Sequence, residues 1–253
     1  MNEVVLCEKK EGVALVTFNR PQVFNALSRE VNKQFVAILN DLEADSGVKV
    51  IVLTGAGEKA FVAGGDIGEM ESLDSIGARD YAIQAKRSVD AIFYCSKPVI
   101  AAINGLCLGG GLEYAMACDF RTAADTAKFG QPEINIGIMP GSGGTQRLPR
   151  YIGMGRAKEL IFTGTTLTAQ EALALGLVNH VYPKESLIES TMAIAKTIAG
   201  KSAAALALIK SAMNRGAEVD IESGSQLEMD CFGLCFGTEE QKKAMEKFVS
   251  KKK

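Results

Sequence analysis

The sequence has no tryptophan and a single histidine, His180. One imidazole cannot furnish a histidine-rich metal centre. A Ser–His–Asp triad would have to use His180 within Val178-Asn179-His180-Val181-Tyr182, a run that reads as a short strand with a surface or packed histidine. The Gly-x-Ser-x-Gly elbow is missing too, because Gly141-Ser142-Gly143 lacks its spacing. No two of the six cysteines form a Cys-x-x-Cys pair, and Cys107, Cys118, Cys231 and Cys235 sit in apolar runs. They read as buried thiols of a reducing compartment, so the expected location is cytoplasmic and no metal is expected. Neither sign of charge is in excess: 28 Lys and Arg face 30 Asp and Glu, a net charge of −2. Nucleic acid therefore has no electrostatic footprint to bind, and Lys251-Lys252-Lys253 is too short to change that. A long hydrophobic run is also lacking, since Pro98 to Met116 is broken by Asn104, Glu113 and several glycines; no membrane association is expected. Met1 to Glu8 has neither the basic flank nor the apolar core of a secretory signal.

What is present is the composition of an ordinary globular protein, 47% hydrophobic and 23% charged, long enough to bury a core without disulfides or metals. Val4–Cys7 and Val13–Phe18 read as strands joined at Glu11-Gly12. Ser28 caps a helix whose apolar residues Val31, Phe35, Ile38, Leu39 and Leu42 recur three and four apart. Val48–Leu53 and Pro98–Ile103 read as buried strands, with Tyr81–Tyr94 helical between them. This rhythm predicts α/β units with parallel pairing. Beyond about residue 150 helical spacing dominates, interrupted by one strand at Val178–Tyr182. The division expected is a core over 1–200 and a helical region over 201–253. No low-complexity linker separates them, so they should pack together.

Three segments carry the chemistry: Gly64-Gly65-Asp66-Ile67, Gly109-Gly110-Gly111-Leu112-Glu113, and Gln131-Pro132-Glu133 followed by Pro140-Gly141-Ser142-Gly143-Gly144-Thr145. The P-loop pattern Gly-x4-Gly-Lys-[Ser/Thr] does not occur, and Gly55-Ala56-Gly57 is only a weak dinucleotide signal. Glycines between a strand and a helix leave backbone N–H groups open to a ligand, with the positive end of the helix dipole behind them. That suits an oxyanion hole; it equally suits close packing of helix on strand. Glu113 and Glu133 both stand in apolar surroundings, where a carboxylate is costly without a partner or a proton. Two carboxyls sharing a site tend to hold one proton between them, an acid and a base together. Alternatively each could pair with an arginine such as Arg121 or Arg147.

Asn19-Arg20-Pro21, Asn25-Ala26-Leu27 and Phe129-Gly130-Gln131-Pro132-Glu133, with the helical tail, resemble the crotonase (enoyl-CoA hydratase/isomerase) superfamily over nearly the whole chain. The resemblance implies a crotonase-like spiral of ββα units with a C-terminal helical trimerisation region. It implies an acyl-CoA thioester as substrate, no separate cofactor, and a homo-oligomer, a hexamer built as a dimer of trimers. The amides of Gly65 and Gly110 would form the oxyanion hole, Glu113 would activate water, and Glu133 would exchange a proton with the substrate α-carbon. Gly141 would help hold the water. Ala63, Asp66 and Ile67 would line the CoA path opposite Val23 and Phe24, while Phe232, Phe248 and Lys251 would reach a neighbouring subunit's CoA. Gly68 stands where many relatives carry a lysine near the CoA phosphates. Retaining both glutamates favours a hydratase over a Δ3-Δ2-enoyl-CoA isomerase, and the charge balance disfavours a non-catalytic RNA-binding role.

Overall fold

The computed structural model describes residues 3–250. The chain opens with a hairpin, β1 (Val5–Lys10) and β2 (Val13–Phe18), turning at Glu11 and Gly12, both at positive φ. Ser28 Oγ then accepts a hydrogen bond from Val31 N and starts α1 (Arg29–Ala44), whose inner face buries Val31, Phe35, Leu39 and Leu42. From there the chain repeats one path. It runs through β3 (Val50–Gly55), β4 (Ala60–Val62), a short α2 (Ile67–Met70) and α3 (Ser75–Tyr94). Next come β5 (Val99–Ile103), β6 (Leu106–Leu108) and α4 (Gly110–Ala117). A third pass follows with β7 (Phe120–Ala124), β8 (Lys128–Gly130), α5 (Gly144–Ile152) and α6 (Met154–Thr163). The remainder is β9 (Thr166–Thr168), α7 (Ala169–Ala174), β10 (His180–Tyr182), α8 (Leu187–Ala199), α9 (Ala203–Gly216), α10 (Ile221–Cys235) and α11 (Glu239–Ser250).

Among the described residues the strands form two sheets, ordered β1-β2-β3-β5-β7-β10 and β4-β6-β8-β9. Each pass lays one strand in each sheet and then a helix, which is the ββα spiral. Pairing is parallel except at the edges β1–β2 and β8–β9. β3 and β5 are buried at every position because α8 covers one face of the large sheet and the second sheet with α4 backs the other. The crossings between sheets are tight: a Cβ on Gly55 would lie 2.3 Å from the carbonyl oxygens of Ala60 and Phe61. Two buried asparagines hold this corner. Asn25 Nδ2 donates to Ala56 O and Ala60 O, and Asn104 donates to Gly55 O and Gly57 O while accepting from Gly55 N. Beneath them Phe18, Phe35, Phe61 and Tyr114 pack ring against ring, centroids 5.2 to 6.0 Å apart. That cluster ties the hairpin, α1, β4 and α4 together, and each ring contributes about 1.5–3 kcal/mol through burial.

The structure adds elements that periodicity does not reveal. β4, β6, β8 and β9 are three residues each, too short for an alternating pattern, and exist because neighbouring strands satisfy their backbone groups. β9 therefore joins β10 in interrupting the helices beyond residue 150. α9 is bolted to the core by Lys210, 8% exposed, whose Nζ donates to Asp119 Oδ2 at 2.9 Å, Lys97 O and Ile92 O. α10 packs on α9 where Gly216 and Gly224 meet, and α11 is tied back by a Ser202–Glu240 hydrogen bond.

Candidate active site

Glu113 projects from the first turn of α4, and its surroundings explain how a carboxylate survives in so apolar a segment. Its Oε1 accepts two backbone hydrogen bonds, from Ser142 N and Gly144 N, each at 2.7 Å. Both donors belong to the glycine-rich turn that opens α5, where amides have no partner within the helix. Burial nevertheless dominates and raises the Glu113 pKa, opposed by those two bonds and by the positive charge of Arg147. The alternative of a structural ion pair is not what forms. Arg121 donates to the carbonyls of Leu177, Ala115 and Cys118, and Arg147 lies over the Phe93 ring.

Glu133 sits in a 3-10 turn, Pro132–Ile136, that carries the chain from β8 toward the glycine turn. Burial, with a further contribution from the negative charge of Glu113, pushes its pKa up to about 7. Glu133 thus keeps its proton to near neutrality. Fully buried Gln131 faces it; with the amide nitrogen turned toward the carboxylate, Gln131 donates to Oε1 at 2.7 Å and to Oε2 at 3.1 Å.

The triple glycine divides its labour among three positions. Gly109 is left-handed, φ 51°, and a Cβ there would stand 3.1 Å from Glu133 Oε1. Gly111 lets α4 lie directly on β4, since a Cβ would strike Val62 O at 2.1 Å. Gly110 is the first residue of α4, and its Cβ position is 3.7 Å from Gly65 N. Gly65 is held opposite by its bridge to Leu27. Neither the Gly65 nor the Gly110 amide donates to a protein acceptor among the described residues. Open donors and close packing therefore coexist, on adjacent glycines.

These groups converge on one cavity of about 520 Å³, bordered by Gly65, Gly110, Glu113, Glu133, Gly141 and Ser142 and otherwise mainly apolar. Met70 at the end of α2, Leu73 after it, Ala82 and Ala85 on α3, and Ile138 and Met139 form its walls. Tyr81 closes the side next to Gly65 and donates from Oη to Leu27 O at 2.9 Å. Ser142, Gly144 and Gln131 belong to segments singled out from sequence without a role of their own, and Tyr81 is an addition. The first two were foreshadowed by glycines preceding a helix, whereas nothing local marks Tyr81.

Val23, Phe24 and Ile67 are exposed on the surface near this corner, and Ala63 N donates to Phe24 O. Asp66 is engaged by Arg20 at 2.9 Å. Phe232 and Phe248 lie far along the chain on α10 and α11, 66% and 65% exposed, and do not border the cavity. Lys251 lies outside the described residues. His180 is exposed on β10 and stacks on Tyr182. Among the described residues no three His, Cys, Asp or Glu side chains gather as metal ligands.

Comparison with known proteins gives the family. The chain is 47% identical over 253 residues to a short-chain-enoyl-CoA hydratase of Clostridium acetobutylicum, covering 100% of this chain and 97% of that one. It is 44% identical to a crotonyl-CoA hydratase of Syntrophomonas wolfei, covering 99% and 96%. The crystal structure of an enoyl-CoA hydratase from Bacillus anthracis superposes with a TM-score of 0.95 at 38% identity, covering 98% of this chain and 97% of that one. The family profile described as enoyl-CoA hydratase/isomerase matches residues 8–253, and the chain belongs to that family.

Proposed function

We propose that the protein is an enoyl-CoA hydratase, catalysing reversible syn addition of water to a trans-2-enoyl-CoA, crotonyl-CoA in the first instance, to give the (3S)-3-hydroxyacyl-CoA. The observation that carries this reading is the meeting of two free backbone amides and two glutamates of raised pKa in one largely apolar cavity.

The thioester oxygen would lie between the amides of Gly65 and Gly110, which strengthen their bonds as the carbonyl becomes enolate-like. Glu113, its Oε1 already committed to Ser142 N and Gly144 N, has Oε2 left to take a proton from water as the oxygen adds to C3. Glu133 delivers a proton to C2. Water thus supplies hydroxyl to C3 and a proton to Glu113, Glu133 supplies the proton at C2, and the pair ends with the same number of protons it began with. In dehydration the order reverses. General acid–base help of this kind is worth about 10²–10⁴ in rate. CoA is part of the substrate, and no further cofactor enters the scheme. The exposed Val23, Phe24 and Ile67 and the half-buried Ala63 would border the CoA, with Asp66 paired to Arg20.

The exposed apolar side chains of α10 and α11, among them Phe232, Leu234, Phe236 and Val249, support assembly into trimers and a hexamer, where a neighbour would cover them. Phe248 would then approach the CoA held next door.

The test is direct: crotonyl-CoA mixed with enzyme and water alone should lose its conjugated enoyl absorbance. A protein that leaves crotonyl-CoA untouched but converts a 3-enoyl-CoA to it would be an isomerase. One that turns over neither and binds RNA in a salt-dependent way would overturn the catalytic reading.

A further inference from the structure

The cavity beside the glutamates is walled mainly by apolar groups, yet Asn32 of α1 and Tyr114 of α4 border it as well. Both are buried, Asn32 5% exposed and Tyr114 fully. Tyr114 Oη donates to Asn32 Oδ1 at 2.5 Å, and burial raises the phenol's pKa so that it stays a neutral donor. That bond occupies the oxygen of the Asn32 amide; its Nδ2 has no acceptor among the described residues. The hydroxyl of Ser88, fully buried on α3, lies behind the Tyr114 phenol and does not border the cavity. Buried polar groups are nearly always paired. Donors left open at the edge of a cavity find their partner in what the cavity holds.

We infer that Asn32 and Tyr114 form a polar end to the acyl site, which selects substrates by the terminus of the acyl chain. Chains carrying a terminal hydrogen-bond acceptor, such as a hydroxyl, ether or carbonyl oxygen, are favoured over hydrocarbon tails of the same length. A hydrocarbon that reaches Asn32 displaces water from its amide and returns no bond, whereas an oxygen in that place restores one. The asymmetry between filling and orphaning a buried donor is what makes such sites discriminate. This inference rests on the hydratase reading for where the acyl chain lies.

Binding of non-reactive saturated thioesters separates the two claims. Hexanoyl-CoA and octanoyl-CoA would be compared by calorimetry with their ether isosteres, 4-methoxybutanoyl-CoA and 6-methoxyhexanoyl-CoA. The ether whose oxygen reaches Asn32 should bind about tenfold more tightly than its hydrocarbon counterpart, the loss expected for one orphaned donor. In an Asn32→Leu/Tyr114→Phe double variant, which removes both partners of the bond at once, that preference should vanish or invert. Should the double variant fail to fold, Asn32→Leu alone carries the same comparison and places a better helix former in α1. No preference at either length, or a preference that survives in the variants, would overturn the inference. Failure of crotonyl-CoA turnover with the preference intact would instead sink the hydratase reading and leave the polar end standing.

Discussion

Above about pH 7, where Glu133 gives up its proton, kcat/KM for hydration should fall about tenfold for each further pH unit. The proton that Glu133 donates to C2 must be present at the start, and Glu113 must be ionised to accept one from water. A raised pKa on Glu133 extends the protonated form upward in pH and sets the alkaline limb. Glu113, raised from the usual carboxylate range by burial, sets the acid limb. Dehydration begins with the proton on Glu113 and Glu133 ionised, yet the pair again carries one proton in total. Because the net reaction neither takes up nor releases a proton, the ratio of forward to reverse kcat/KM cannot change with pH. The two bell-shaped profiles should therefore superimpose. The sharper perturbation is Glu113→Gln. It removes a negative charge that holds the Glu133 proton in place, so the alkaline limb of the residual activity should move to lower pH. Burial remains, so the limb should stay above the ordinary glutamate value, about 4.3. The assay follows enoyl absorbance, lost from crotonyl-CoA and gained from (3S)-3-hydroxybutyryl-CoA, from about pH 5 to about pH 9. A flat profile up to pH 9, an alkaline limb that does not move in Glu113→Gln, or forward and reverse profiles of different shape would refute the reasoning.

Glu113→Gln and Glu133→Gln should each lower kcat by at least ~10²-fold with little change in KM, and the double variant should lose far less than the product, as steady-state kinetics would reveal. Gly109→Ala should lower kcat more than it raises KM, because its Cβ would press on Glu133 Oε1 in a left-handed backbone; a normal kcat in a folded variant would contradict the placement of Glu133. Lys210→Met removes the buried ammonium and leaves the partly exposed Asp119 without its cation; it should cost about 1–3 kcal/mol in urea denaturation, with Lys210→Met/Asp119→Leu recovering part of the loss. Light scattering should give the mass of a trimer or hexamer; a fully active monomer would dismiss the role of α10 and α11 in assembly.

Much of the architecture is legible in the sequence because its signals are local. The helix at α1 announces itself through Ser28 and a run of apolar residues three and four apart, and β3 and β5 through short β-branched runs buried on both faces. The strands of the second sheet are three residues long and carry no period, so they are defined by the strand beside them. The same contrast holds at the site. Glu113 and Glu133 stand out since carboxylates in apolar segments need a reason, while Tyr81 and Asn32 look like ordinary helix residues until the fold brings them to the cavity.

By itself, then, the sequence determined the chemistry available: two carboxyls in apolar company, glycines ahead of a helix, and neither the histidine nor the cysteine spacing for metal or triad chemistry. Only the tertiary structure decided how that chemistry is deployed. It packs Gly111 onto Val62, leaves the Gly65 and Gly110 amides open, and turns Ser142 N and Gly144 N onto one oxygen of Glu113. Those relations join residues tens of positions apart, and desolvation, which raises both glutamates, exists only once the surrounding chain has excluded water.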